Sequence, residues 1–280
     1  IVKMALTKVL ITVKTYPTLS EKYDELVCTA GFRGDGSWVR IFPVPFRRLD
    51  YQNQYKKWQW IEIDLVKNRS DFRPESYRPT DLDKEIRLLD EVDTKGDWCK
   101  RKMLVGDKIR YNLTELIAEA KDSKVGTSLA IVKPKEVIDF VWESCDREWD
   151  KQKMDKVIAN KAQGSLFDEA ETRLVFKVVK KLPYDFSYIF ITEDGKTRKI
   201  MIEDWELGAL YWNCLDKAKG NEEEACRKVK EKYLDYMYRQ RDLHFFMGTT
   251  KQFHNVGYNP FIIIGTFYPP KTDTQQLSLL

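Results

Sequence analysis

Asp204-Trp205-Glu206 sets two carboxylates around an indole, and Glu75 sits between two prolines in Arg73-Pro74-Glu75-Ser76-Tyr77-Arg78-Pro79. Carboxylates beside aromatic rings suit chemistry at a base withdrawn from a nucleic-acid stack. A ring packs on the base, and a carboxylate positions water or stabilises the oxocarbenium that develops as the glycosidic bond breaks. Asp204, Glu206 and Glu75 are therefore the candidate catalytic residues. Asp204 has an ordinary alternative as an acid at a helix N-terminus, where the helix dipole favours it. Tyr16 and Tyr77 are candidate stacking rings, with packing in a core as their alternative. Lys251, His254 and Asn255 lie in the polar stretch 248–257 and are candidate DNA contacts, His254 as an acid or a hydrogen-bond donor. A lone histidine in such a loop is otherwise a surface residue.

A second group is basic. Arg33, Arg40, Arg47 and Arg48 surround the segment Gly34 to Phe46, and Arg40 alternates with Trp38 and Phe42 on one strand face. Such a strip offers guanidinium groups to phosphates and rings to bases. Its alternative is an amphipathic strand with one snorkelling arginine. Other chemistries find little footing. There is no phosphate-cradling glycine loop, no G-x-G-x-x-G and no G-x-S-x-G elbow. Glu62 and Asp64 at strand spacing, with Lys67, distantly suggest a metal-dependent nuclease but lack a preceding acid.

Cys28, Cys99, Cys145, Cys214 and Cys226 are odd in number and form no C-x-x-C pair, and there are two histidines. Reduced thiols are expected rather than a disulfide framework or a zinc site. No cofactor or metal is expected, although carboxylates are plentiful enough for magnesium. The net charge of +4 permits contact with nucleic acid without demanding it, and 13% aromatic content suits either base stacking or an aromatic core. No apolar run is long enough to span a membrane, and residues 1–10 lack a signal-peptide pattern, so a cytoplasmic protein is expected.

The elements that must position these residues follow from pattern. Val9 to Lys14, Glu25 to Phe32, Trp38 to Val44 and Lys57 to Val66 read as strands, with a glycine turn at 33–36. Asn68 to Asp83 is a proline-stiffened loop. Thr114 to Lys121 is a short helix with Thr114 as its cap. Ser128 to Val132 and Val137 to Trp142 are strands, and Arg147 to Gly164 is a charged helical connection. Leu174 to Val179, Phe186 to Thr192 and Lys196 to Ile202 are further strands, and Glu203 to Leu215 is helical. Asn221 caps a longer helix whose apolar stripe is Cys226, Val229, Tyr233 and Met237. Phe261 to Phe267 is a final strand. The expected architecture is α+β, with a β-barrel-like N-terminal half (OB/PUA-like) over 1–150, a mixed α+β half over 151–271 and a tail at 272–280.

Cys28-Thr29-Ala30-Gly31, Gly36 to Val44, and Ser128-Leu129-Ala130-Ile131-Val132-Lys133-Pro134 resemble strands of the dual-OB-like modules of bacterial defence loci. Pro183 to Tyr188, Asp204-Trp205-Glu206 and Phe245-Phe246-Met247-Gly248-Thr249 resemble companions of those modules. The resemblance implies nucleic-acid binding and an antiphage role. One branch of antiphage proteins comprises DNA glycosylases that excise modified bases from phage DNA, and that activity is the expectation here. The alternative is a non-catalytic binding module.

Gln276-Leu277-Ser278-Leu279-Leu280 resembles, at all five positions, the short peptide that docks DNA-processing proteins on the bacterial sliding clamp. Leu279 and Leu280 would fill an apolar pocket, with Leu277 alongside and Gln276 hydrogen-bonding to backbone. Weak docking of this kind raises effective concentration. Gln163-Gly164-Ser165-Leu166-Phe167 is a poorer match. The expected partners are DNA and the clamp.

Overall fold

The computed structural model describes residues 6–20, 24–44, 46, 49, 54–82, 86–163 and 179–271. Strand β1 (Thr7–Lys14) is buried continuously from Val9 onward. Successive strand side chains point to opposite faces, so both faces of β1 are covered. It pairs antiparallel with β3 (Asp24–Arg33) on one side and β5 (Gln59–Ile63) on the other. In β5 the alternation is clean: Gln59, Ile61 and Ile63 are buried, while Trp60 and Glu62 are half-buried. The long strand expected over 57–66 breaks at the buried Asp64. Beyond it β6 (Leu65–Lys67) pairs with β7 (Ser76–Pro79), a strand within the expected loop.

These strands, with β4 (Trp38–Val44) and β8 (Arg87–Glu91), lie in the order β6-β7-β4-β3-β1-β5-β8, and β2 (Thr18–Ser20) pairs with β3. The sheet is strongly curled. Its register shifts between Ile11 and Val13 and again between Val27 and Thr29, and such bulges bend a strand and increase its twist. Gly31 faces Ile11 across the first pair. A Cβ there would lie 1.8 Å from the carbonyl oxygen of Leu10, so only glycine allows the two backbones to come this close.

The chain divides into two compact units, residues 1–90 with 142–185 and residues 91–141 with 186–280. A single cut near 150 does not produce this division, because residues 142–185 return to the first unit. There α3 (Lys151–Gln163) packs against β2. The strand expected over 174–179 lies, except for Val179, outside the described residues.

The second unit is mixed α+β. Its four-stranded sheet runs β15 (Phe261–Phe267), β14 (His244–Thr249), β10 (Leu129–Val132), β9 (Ile109–Arg110), and a three-stranded sheet runs β11 (Glu136–Ser144), β12 (Tyr184–Ile191), β13 (Thr197–Met201). Its helices include α1 (Lys95–Val105) and α2 (Leu113–Lys121). Asn112, not Thr114, caps α2, its side chain accepting from the Glu115 amide at 3.2 Å. The Thr114 hydroxyl is instead drawn to Asp194 across the β12–β13 hairpin turn, 2.5 Å away. Helix α4 (Trp205–Lys217) is followed by α5 (Glu222–Lys230), which Asn221 caps as expected. The stripe Cys226, Val229, Tyr233 and Met237 is buried. It meets an aromatic core in which Tyr188 lies 4.8 Å, ring centre to ring centre, from both Phe140 and Phe245.

Helix α5 widens into a π-helix over Glu231–Gln240. The Tyr188 hydroxyl donates to the Tyr233 carbonyl at 2.7 Å inside this segment. A side-chain donor at a helix carbonyl competes with the regular ladder and accounts for a local change of winding.

Gly31→Ala is expected to destabilise the first unit by about 3 kcal/mol or more, because backbone rather than a movable side chain occupies the space. Equilibrium urea denaturation of the purified variant checks this; a midpoint within error of wild type would show that β1 and β3 can separate at no cost.

Candidate nucleic-acid interface

The segment 68–75 joining β6 to β7 is held from inside. Asn68, Asp71, Arg73 and Ser76 are all buried. Arg73 grips Asp71 twice, Nε to Oδ1 at 2.9 Å and a terminal nitrogen to Oδ2 at 2.6 Å, and Ser76 Oγ donates to Oδ2 at 2.9 Å. Asn68 Oδ1 accepts from the amide and hydroxyl of Ser70, and its Nδ2 donates to the Phe42 carbonyl. The backbone closes on itself through Asn68 N–H to Ser76 O and Asp71 N–H to Asn68 O, both 3.1 Å. Burial alone raises the pKa of Asp71. The hydrogen bonds and charge of Arg73 and the hydroxyl of Ser76 outweigh it and hold the carboxyl at about 2.

This internal order fixes what the loop shows outside. Lys67, Arg69 and Arg78 are exposed, and Phe72 is 55% exposed. The Arg33 guanidinium lies 4.2 Å from the centre of the Tyr77 ring, and Lys67 Nζ lies 4.9 Å from it. Lys67 also donates to the carbonyls of Arg73 and Pro74. Arg33 reaches the Trp38 carbonyl at 3.4 Å, and Trp38 packs on Phe32 at 4.5 Å. Cations held over rings lose little further freedom on meeting a ligand. The face thus sets exposed basic groups beside an exposed apolar ring, a combination chemically suited to phosphates and bases.

Sequence reasoning named Arg33, Trp38 and Tyr77, and the fold brings them together. It missed Lys67, Arg69, Phe72 and Arg78. The signal available was the proline-stiffened loop with basic residues at both ends. Arg40 is corrected: it is 2% exposed and does not belong to an open strip. Strand parity places it with Trp38 and Phe42, but loop residues Asp71, Arg73 and Glu75 surround it, and its amide donates to the Glu75 carbonyl at 2.8 Å. Burial pushes its guanidinium pKa down and raises that of the neighbouring Cys28 thiol. Glu75 is half-buried beside Arg40. The Tyr16 hydroxyl donates to the Lys180 carbonyl at 2.7 Å. Arg47, Arg48 and the tail residues Gln276, Leu277, Leu279 and Leu280 lie outside the described residues, as does 164–167 of the poorer peptide match.

The nuclease reading gains no support from placement. Glu62 pairs with Arg87 at 3.0 Å, Asp64 is buried, and no three His, Cys, Asp or Glu side chains cluster as a metal site among the described residues.

In the second unit Lys251 and Asn255 are exposed on the β14–β15 connection. His254 between them is 2% exposed, its Nδ1 bonded to Thr249 Oγ1 at 2.7 Å, so it anchors the connection rather than facing solvent. Asp204 caps α4, accepting from the Glu206 amide at 3.1 Å, and is 1% exposed. The hydroxyls of Tyr188 and Tyr233 are pushed well above the usual tyrosine pKa, by burial first and by the Asp204 charge second. Asp204 thus serves the fold as the N-cap of α4 and is enclosed rather than open to solvent. Glu206 is exposed in the first turn of α4, where the Arg101 guanidinium feels its charge.

Residues 110–280 match the family described as domain of unknown function DUF8757, and the chain belongs to that family. Residues 5–107 match a second family, domain of unknown function DUF8758. No curated protein matches the chain. Among the described residues no helix is long and apolar enough to cross a membrane.

A carboxyl held at about 2, below its usual 3.8, favours the folded state wherever it is ionised. That contribution is complete above about pH 5 and fades as pH falls towards 2. Asp71→Asn is therefore expected to cost about 3 kcal/mol at pH 7 and distinctly less at pH 3. Urea denaturation of both proteins at the two pH values tests it; an equal gap at both would mean that the Asp71 charge contributes nothing.

Proposed function

We propose that this chain is a DNA-binding protein that acts on modified bases in bacterial antiphage defence. The observation that carries the binding part is the β6–β7 loop: buried charges set its shape, and it turns Lys67, Arg69, Arg78 and Phe72 outward. Counterion release on phosphate contact supplies the affinity, and the exposed ring adds base or sugar contact. An OB-like reading of the curled, bulged sheet that carries this loop, and a cytoplasmic location, belong to the same proposal.

Base excision is the finer reading, and Glu206 is the carboxylate we assign to it. It is exposed, whereas Asp204 is enclosed and Glu75 half-buried against Arg40. In this step the C1′–N bond breaks and its electron pair leaves with the base. Glu206 stabilises the cationic sugar, orients water onto C1′ and takes the proton that the water releases.

The test uses full-length protein with a DNA duplex carrying plain or modified bases, measuring binding across a salt series and abasic-site formation. Arg69→Ala with Arg78→Ala is expected to weaken duplex binding and lower the salt slope by about two. Glu206→Gln is expected to abolish base release while duplex affinity stays unchanged. Binding without product on every modified duplex would favour a binding module over an enzyme. A salt slope that the arginine variants leave unaltered would remove the loop from the interface.

The C-terminal peptide 276–280 is proposed to tether the protein to the sliding clamp. Gln276→Ala with Leu279→Ala should abolish clamp binding in a pull-down or titration with purified clamp, with the thermal melt unaltered. Undiminished clamp affinity in that variant would end this proposal.

A further inference from the structure

The second unit carries a row of three half-buried rings, Trp98, Tyr236 and Tyr268, apart from the β6–β7 loop face. Trp98 lies 5.4 Å from Tyr268, and Tyr268 lies 6.1 Å from Tyr236. Cations sit along the row. Arg101 is 5.1 Å from the Trp98 ring, Lys232 is 3.8 Å from Tyr236 and 5.5 Å from Tyr268, and Arg241 is 5.2 Å from Tyr236. Neither Lys232 nor Arg241 has an ion-pair partner among the described residues, whereas nearby Arg239 is paired with Asp235 at 2.8 Å. Two cations without an ion pair among the described residues share the Tyr236 ring, which favours an anion.

The backbone that builds this row is unusual at both ends. Gly96, Asp97 and Trp98 take φ of 56°, 51° and 66° in succession, and the left-handed region is unfavourable for the last two. Residues held so are found where a binding surface needs them. Lys232 and Tyr236 ride on the π-helix, a winding that is rare and concentrated at functional sites. Within the same segment the Tyr233 hydroxyl is buried with no hydrogen-bond partner among the described residues. A native fold seldom leaves such a group unmatched without a reason.

We infer that this row binds an unpaired stretch of nucleic acid, two or three nucleotides long, with bases stacked on Trp98, Tyr268 and Tyr236 and phosphates met by Arg101, Lys232 and Arg241. Alternating rings and cations are the pattern that tracks a single strand. A free nucleotide would leave most of the row unused. Arg101, which lies over the Trp98 ring, also feels the charge of Glu206, the carboxylate of the excision reading. The inference rests on the reading of the chain as a DNA-acting protein and adds which form of the strand the second unit takes.

The experiment measures anisotropy of a labelled ten-nucleotide oligothymidylate and of a duplex with full-length protein, with thymidine monophosphate as competitor. Lys232→Ala with Tyr236→Ala is expected to weaken single-strand binding at least tenfold and duplex binding less than twofold. Tyr236→Phe alone, which keeps the ring, is expected to bind as wild type does, and this separates lost stacking from lost folding. Arg69→Ala with Arg78→Ala is expected to show the opposite preference, with the larger loss on duplex. Single-strand affinity unmoved by the Lys232/Tyr236 pair would overturn the inference, as would the monophosphate competing as well as the oligonucleotide. Duplex binding with no single-strand binding would overturn it while leaving the DNA reading standing. No binding to either would overturn both.

Discussion

A sheet that buries two guanidinium groups must neutralise them or not fold. Arg40 and Arg73 are both enclosed in the first unit, and Asp71 is the carboxylate that Arg73 grips with two hydrogen bonds. Removing one partner of such a pair strands the other in a medium that solvates charge poorly, at a cost of about 3–5 kcal/mol. The shape of the 68–75 segment follows from this. Asp71 and Ser76 draw the loop inward, Arg40 is covered by it, and what remains outside is Lys67, Arg69, Phe72 and Arg78. The interior charge pair and the exterior basic face are thus two consequences of one arrangement.

The second unit solves a different problem with different groups. Its core mixes aliphatic side chains with a cluster of rings, and ring hydroxyls inside a core usually find partners. Tyr188 finds the Tyr233 carbonyl, and the helix carrying Tyr233 is wound more widely there. Asp204 spends its carboxylate on the first turn of α4, and burial first, with the Asp204 charge second, pushes the Tyr188 and Tyr233 hydroxyls well above the usual tyrosine pKa. Glu206, two residues on, lies outside that enclosure. Two carboxylates at one helix start therefore differ in placement: Asp204 is enclosed and caps the helix, and Glu206 is exposed.

Much of the secondary structure was legible because its causes are local. Alternation in Gln59 to Ile63, the glycine turn after Arg33, the Asn221 cap and the stripe from Cys226 to Met237 all reappear in the fold. The α2 cap was misread because Asn112 and Thr114 both qualify locally, and the choice depends on Asp194, eighty residues away. The left-handed turn at Gly96 to Trp98 has one glycine and no local reason for the next two residues to follow it. The π-helix likewise answers to Tyr188 on a distant strand.

The residues themselves determined the kind of surface this protein has: basic side chains interleaved with aromatics, carboxylates around Trp205, thiols in no pairing pattern, and α+β elements in a readable order. Which of them are exposed and which are buried was decided by tertiary structure alone. Strand parity put Arg40 beside Trp38, but the 68–75 loop folded over it. Loop composition put His254 in solvent, but Thr249 pulled it inside. Burial and long-range charge pairing are set by segments far apart in the chain, so local pattern cannot fix them.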